Sequence, residues 1–255
     1  MTMPDPDMKF PEGLEPLGDR SFRFACHPGV ACFTRCCRKL DLRLYPYDII
    51  RLKRRLGVDS GTFLERHAGV VPGGNPFFPG VILRMRSDAE NACPFLDGGR
   101  GCSVYEDRPS ACRTYPLERA VPRRQVRGGP REFYFMTRHD YCLGHTEDRT
   151  WTVAQWVEDQ KLRPYTIMDD LWAEMDTLFA SNPWRGEGAA GPLQQLAFMV
   201  CYNIDAFRAT TREQGLFGRM KLSRREVREL ESDDEALLRF GFRWLAGVLG
   251  ASPGR

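Results

Sequence analysis

The sequence predicts a mainly α protein with irregular cysteine-rich loops and a small β element, an α+β arrangement with a metal-stabilised N-terminal half and a helical C-terminal half. Three observations predict it. Eight of the nine cysteines fall between Cys26 and Cys142. The same half is broken by VVPGGNPFFPG up to Gly80 and DGGRGC up to Cys102. Such Pro/Gly stretches read as loops, and long loops carrying cysteines are often tied down by metal. From Thr150 onward the apolar residues recur instead at helical spacing.

Tyr47 to Leu56 reads as a short helix. Pro46 suits its first turn, Ile49, Leu52 and Leu56 share a face, and Gly57 is a C-terminal stop. Ser60 is placed to cap a second helix through Phe63, Leu64 and His67. Val81, Leu83 and Met85 alternate with Arg84 and Arg86, and Glu132 to Thr137 is rich in aromatic residues, so these stretches read as two strands and a candidate pair. Trp151 to Gln160 reads as a helix. Ile167, Leu171, Met175 and Leu178 stripe the next, and Leu193, Leu196, Val200, Ile204 and Phe207 stripe another. Ser223 to Glu226 spells a capping box, and Ala236 to Leu249 reads as a final amphipathic helix behind the acidic cap Asp233-Asp234. The pair Asp169-Asp170 is read as a helix cap too. The expected organisation is an N-terminal extension (1–21), a cysteine-cluster metal-binding domain (22–180), a linker (181–192) and a helical C-terminal region (193–255).

A net charge of +3 is far from the basic balance of a phosphate-neutralising surface, so no nucleic-acid partner is expected. No run of about 18 apolar residues appears, and the start MTMPDPDMKFPEG lacks the apolar core of a secretory signal, so no membrane partner and a cytoplasmic location are expected. Disulfides rarely persist there, which turns clustered cysteines toward metal or catalysis. No GxSxG elbow, Walker loop or HExxH helix points to a hydrolase, NTPase or zinc protease.

The segment FACHPGVACFTRCC sets Cys26, Cys32, Cys36 and Cys37 in one turn-rich stretch, and Cys93, Cys102, Cys112 and Cys142 follow. Thiolates are the soft anionic donors that Zn(II) and iron-sulfur clusters prefer, and short spacings let one loop wrap a metal. Eight sulfurs suffice for two four-thiolate sites, or for one polynuclear centre plus structural thiols. Neighbouring side chains diverge in extended backbone, so Cys36 and Cys37 serve different metals or only one of them ligates. Cys201, on a helical face, reads as plain core. His27 and His145 are read as neighbours of the site rather than ligands. Arg51, Lys53, Arg54 and Arg55 read as the solvated face of a short helix. Arg108, Arg113, Arg119, Arg123, Arg124 and Arg127 are candidate guanidinium donors to a thiolate centre, weighed against a general preference for arginine over lysine. Tyr105 and Tyr115 are candidate shields.

The Cys26 to Cys37 cluster, the following LYPYDIIRLKRRLG, and the run Cys93-Pro94-Phe95, Cys102, Arg108-Pro109, Cys112-Arg113 and Tyr115-Pro116 together resemble the YkgJ-type cysteine-cluster family. Its members are described as zinc- or iron-chelating, often as iron-sulfur proteins. The resemblance covers roughly residues 22 to 160. The family's pattern is CxxCxxCC, whereas here five residues separate Cys26 from Cys32 and three separate Cys32 from Cys36; all four sulfurs are kept. The resemblance implies ligation by Cys26, Cys32, Cys36, Cys37, Cys93, Cys102 and Cys112, with Cys142 added here from spacing and count. The leading expectation is an iron-sulfur protein used for electron transfer, redox sensing or as part of an oxidoreductase or transferase, with an unidentified redox or protein partner. A structural zinc module whose helical half recruits a partner is the first rival. A SAM-dependent lysine methyltransferase, like the related flagellin lysine N-methylase, is the second, although no glycine-rich SAM fingerprint supports it.

Overall fold

The computed structural model describes residues 15–121 and 132–250. In chain order these form β1 (Phe22–Arg23), α1 (Pro46–Leu56), α2 (Ser60–His67), β2 (Ala68–Val71), β3 (Gly80–Leu83), β4 (Leu96–Asp97), β5 (Gly101–Cys102), α3 (Ser110–Thr114), β6 (Leu117–Ala120), β7 (Phe133–Met136), β8 (Thr150–Trp151), α4 (Val153–Asp159), α5 (Arg163–Ala180), α6 (Pro192–Tyr202), α7 (Ile204–Glu213), α8 (Arg224–Ser232) and α9 (Asp234–Val248). Helices dominate, and the strands pair only two by two, as the sequence predicts.

Every pair is antiparallel: β1 with β8, β2 with β3, β4 with β5 and β6 with β7. The two strands read from sequence both exist, but they do not pair with each other. Each takes a less regular partner instead, β3 pairing Val81 with Val70 and β7 pairing Phe135 with Glu118.

Helix ends follow local chemistry. Gly57 closes α1 with a left-handed φ of 67°, where a side chain would be strained. Ser223 and Glu226 bond reciprocally at the start of α8, and Asp233 caps α9. The cap of α2 is Asp59, which accepts from Thr62 N at 2.9 Å. Ser60 is buried instead and donates to Asn203 Oδ1 at 2.8 Å. That asparagine splits the expected Leu193–Phe207 helix into α6 and α7, because its side chain accepts from Ala206 N and starts the second piece. Trp151 belongs to β8, and Thr152 caps α4.

A large core joins α1, α2, β3, α5, α6, α7 and α9, with Leu52, Phe63, Phe179, Val200 and Leu237 wholly buried. A smaller core gathers Phe22, Phe24, Leu117, Trp151, Trp156 and Leu162. Trp184, in the stretch between α5 and α6, is 1% exposed and stacks on Phe78 at 5.8 Å. On α5 the buried stripe is Tyr165, Met168, Trp172, Met175 and Phe179, leaving Ile167 exposed. Large aromatic rings outcompete Ile167 for the core side of the helix.

Two further readings are corrected. Asp169 and Asp170 lie within α5 rather than capping it, Asp169 accepting from Ser110 Oγ at 2.6 Å and Asp170 pairing with Arg119. The basic run of α1 is a solvated face only in part: Arg54 and Arg55 are exposed, but Lys53 is not. Lys53 is buried between Asp205 and Asp234, Arg54 also reaches Asp234, Arg51 pairs with Asp107, and Arg55 donates to the Ser103 carbonyl. Partners more than a hundred residues away supply most of those carboxylates, which a one-dimensional pattern does not register. No described helix is long and apolar enough to cross a membrane.

Candidate metal centre

Five pieces of chain bring the eight clustered cysteines to one region between the two cores. Cys93 and Cys102 pack at the margin of the large core, and Cys142 at the margin of the small one. The loop of Cys26 to Cys37 joins them. Its end is pinned by Cys93 N donating to the Cys37 carbonyl at 2.8 Å and Lys39 N to the Asn91 carbonyl at 3.0 Å. Its start is pinned by Ala25 N donating to the Gly144 carbonyl at 3.0 Å. The β4–β5 hairpin sets Cys102 opposite Leu96, and Gly101 admits the Phe33 ring where a Cβ would come within 3.0 Å of it. Cys112 rides on α3, docked by Ser110 N to Asp48 Oδ1 (2.7 Å) and Ser110 Oγ to Asp169.

The charges that the sulfurs feel gather them in two overlapping neighbourhoods. Burial, then Cys36, Cys32 and Cys142, push the Cys26 thiol up to about 11. Burial, then Cys93, Cys36 and Cys102, push the Cys112 thiol up strongly. Cys37 donates to Cys36 and is raised, first by that bond and then by burial, Cys36, Cys93 and Cys112. The same bond holds Cys36 down at about 7 against burial. Cys26 thus feels Cys32, Cys36 and Cys142, Cys112 feels Cys93, Cys36 and Cys102, and Cys36 belongs to both surroundings.

Cys26, Cys36 and Cys112 remain exposed as residues even though protein packs round their sulfurs. All nine cysteines are free thiols, and Cys201 is buried core, as read from sequence. No three of the described His, Cys, Asp or Glu side chains stand close enough together to enclose an ion. The thiols are thus gathered without being closed into a cage. Their chemistry nevertheless fits a thiophilic metal, with soft anionic sulfur as the shared donor.

Neighbouring groups tune this region. Buried Arg108 stacks over the Tyr105 ring at 3.7 Å, bonds to Gln160, and lies near Cys26, Cys102 and Cys112. Arg113 instead donates to the Gln160 carbonyl at 2.7 Å, and Arg119 to Asp170 and Glu132, so neither serves the sulfurs directly. Arg123, Arg124 and Arg127 lie outside the described residues. Leu143 N donates to Cys32 Sγ at 3.1 Å. Tyr115 is raised by burial and by its bond to Cys142, and its hydroxyl lies 3.2 Å from His145 Nε2. His27 pairs with Glu147 at 3.2 Å. Sequence reading missed Asp48, which burial, then Asp169, push up to about 7 beneath Cys112. Its only signal was its place three residues after Tyr45, at the start of α1.

Residues 25–143 match the family model CxxCxxCC, a putative zinc- or iron-chelating domain. The segment is similar to that cysteine-cluster family. No curated protein and no solved structure matches the chain. The CxxCxxCC match spans the loops that carry all eight clustered cysteines and stops short of α4. A metal is accordingly the cofactor to which the chain's chemistry points.

Proposed function

We propose that this is an iron-sulfur protein of the reducing cytoplasm that works with a redox or protein partner. Residues 22–180 would be its metal-binding unit and the helices after 193 an accessory layer. The observation that supports the reading is that eight thiols gather in two overlapping neighbourhoods, one around Cys26 and one around Cys112, which share Cys36. In this reading Cys26, Cys32, Cys36 and Cys142 hold one centre and Cys37, Cys93, Cys102 and Cys112 the other. Adjacent Cys36 and Cys37, whose side chains meet in the turn Arg35–Cys37, would then be the point at which the two centres adjoin. Iron-sulfur centres would supply one-electron transfer. The chain's own residues would bind them, place the Arg108 guanidinium near the sulfurs, and donate Leu143 N–H to Cys32, contacts of the kind that raise a reduction potential.

Purification without oxygen, followed by metal and sulfide analysis, tests it. Brown protein absorbing broadly near ~400 nm and containing sulfide is expected. Cys112→Ser should lose metal, and Cys201→Ala should keep it. Colourless protein with stoichiometric zinc and no sulfide would instead make the site a structural zinc module, since Zn(II) is d10 and spectroscopically silent.

A further inference from the structure

A cleft of about 690 Å³ is lined in part by His145, and the metal reading does not use it. Its floor is apolar, made by Leu17, Phe22 and Met136. Its walls carry three guanidiniums, Arg20, Arg23 and Arg138, against one carboxylate, Glu15.

Two of these cations are already held. Arg20 donates to the Pro16 carbonyl at 2.7 Å, to the Leu17 carbonyl, and to Glu15 at 3.5 Å. Arg23 donates to the carbonyls of Glu147 and Thr146, each at 3.0 Å, and pairs with Asp148. Arg138 is exposed and has no ion pair among the described residues. His145 completes the wall. Its Nε2 meets the Tyr115 hydroxyl, while its Nδ1 is buried and lacks a hydrogen-bond partner among the described residues.

A water-filled dip beside a strand would need neither the apolar floor nor the imbalance of charge. A buried ring nitrogen left without a partner is also destabilising unless something satisfies it. The planar fork of arginine matches a carboxylate with two parallel bonds, and an apolar floor favours a ligand with a hydrocarbon part. We propose that this cleft binds a small organic carboxylate, its acid group on Arg138 and its apolar part over Leu17, Phe22 and Met136. Because Tyr115 links His145 to Cys142, the ligand would be joined to the sulfurs through two side chains.

Titration of the full-length protein with octanoate, octanol and inorganic phosphate, read by calorimetry, tests the proposal. Octanoate should bind at least about tenfold more tightly than either of the others, since it alone offers both halves of the match. Arg138→Gln should weaken octanoate by about tenfold and Arg138→Lys by less, because lysine keeps the charge without the fork. Arg138 is exposed, so both variants should melt as the parent does and keep its metal content. Octanoate no tighter than octanol, phosphate as tight as octanoate, or unchanged binding by Arg138→Gln would each overturn the proposal. None of these results bears on whether iron or sulfide is present.

Discussion

At the scale of single residues, Gly144 shows how a backbone position serves the sulfurs. A Cβ there would stand 2.6 Å from the Ala25 carbonyl oxygen and 2.7 Å from the Phe24 ring, both inside van der Waals contact. Gly144→Ala should therefore push the Cys26 segment off the Cys142 turn and lower metal content while every thiol remains; unchanged metal content would mean that this close approach is dispensable. Asp169 behaves differently. Burial, opposed by its bond from Ser110, pushes it up to about 6, and its Oδ1 has no hydrogen-bond partner among the described residues. The folded state then holds a proton that the unfolded chain has released, so stability falls as pH rises from about 4 to about 6 and stays low above that. Asp169→Asn keeps an acceptor for Ser110 and abolishes that loss. It should be more stable than the parent at pH 7.5 by about 1–2 kcal/mol, discounted for residual solvent contact, with the difference vanishing near pH 4. Urea unfolding at both pH values would measure it, and a difference that does not vary with pH would rule the account out.

At the scale of elements, α9 is packed so closely that its glycine is structural. A Cβ on Gly241 would meet Val200 of α6 at 2.8 Å and the Phe207 ring of α7 at 3.0 Å. Alanine in a helix interior would by itself gain about 1 kcal/mol. Overpacking costs about 1–3 kcal/mol, and contact at both α6 and α7 puts this site toward the upper end. Gly241→Ala should lower the melting temperature, and a rise would show that α6 and α7 yield easily. The same helices meet α1 through charge. Lys53 reaches Asp205 at 2.9 Å and Asp234 at 3.0 Å, and Arg208 also holds Asp234. Removing one member would strand buried charge, so this network favours one mutual arrangement of α1, α7 and α9.

At the scale of the whole molecule, a chain ended at Asn182 would keep all eight clustered cysteines but lose Ala197, Val200, Phe207, Leu237 and Leu245, which share a core with α1 and α5. About 25 cal/mol favours burying each Å² of apolar surface, so the exposed faces should drive aggregation and lower the yield of soluble fragment. The proposed metal-binding unit predicts that whatever remains soluble still carries metal. A soluble fragment without metal, beside a full-length protein that holds it, would make the late helices builders of the site.

The helical second half, the Gly57 stop, the Ser223–Glu226 box, the core role of Cys201 and the close spacing of Cys26, Cys32, Cys36 and Cys37 were all legible from sequence. Each depends on residues within a few positions of one another, where spacing and local hydrogen bonding decide the outcome. Tertiary structure alone decided that β3 and β7 find different partners, that Asn203 breaks a helix, that Lys53 is buried, and which sulfurs become neighbours. It also decided that Asp169 joins α3 to α5 rather than capping a helix. Cys26 meets Cys142, and Lys53 meets Asp234, only after intervening chain has folded back. Those pairings carry their reward in removing charge and apolar surface from water, which depends on the whole packed molecule and leaves no periodic trace in the sequence.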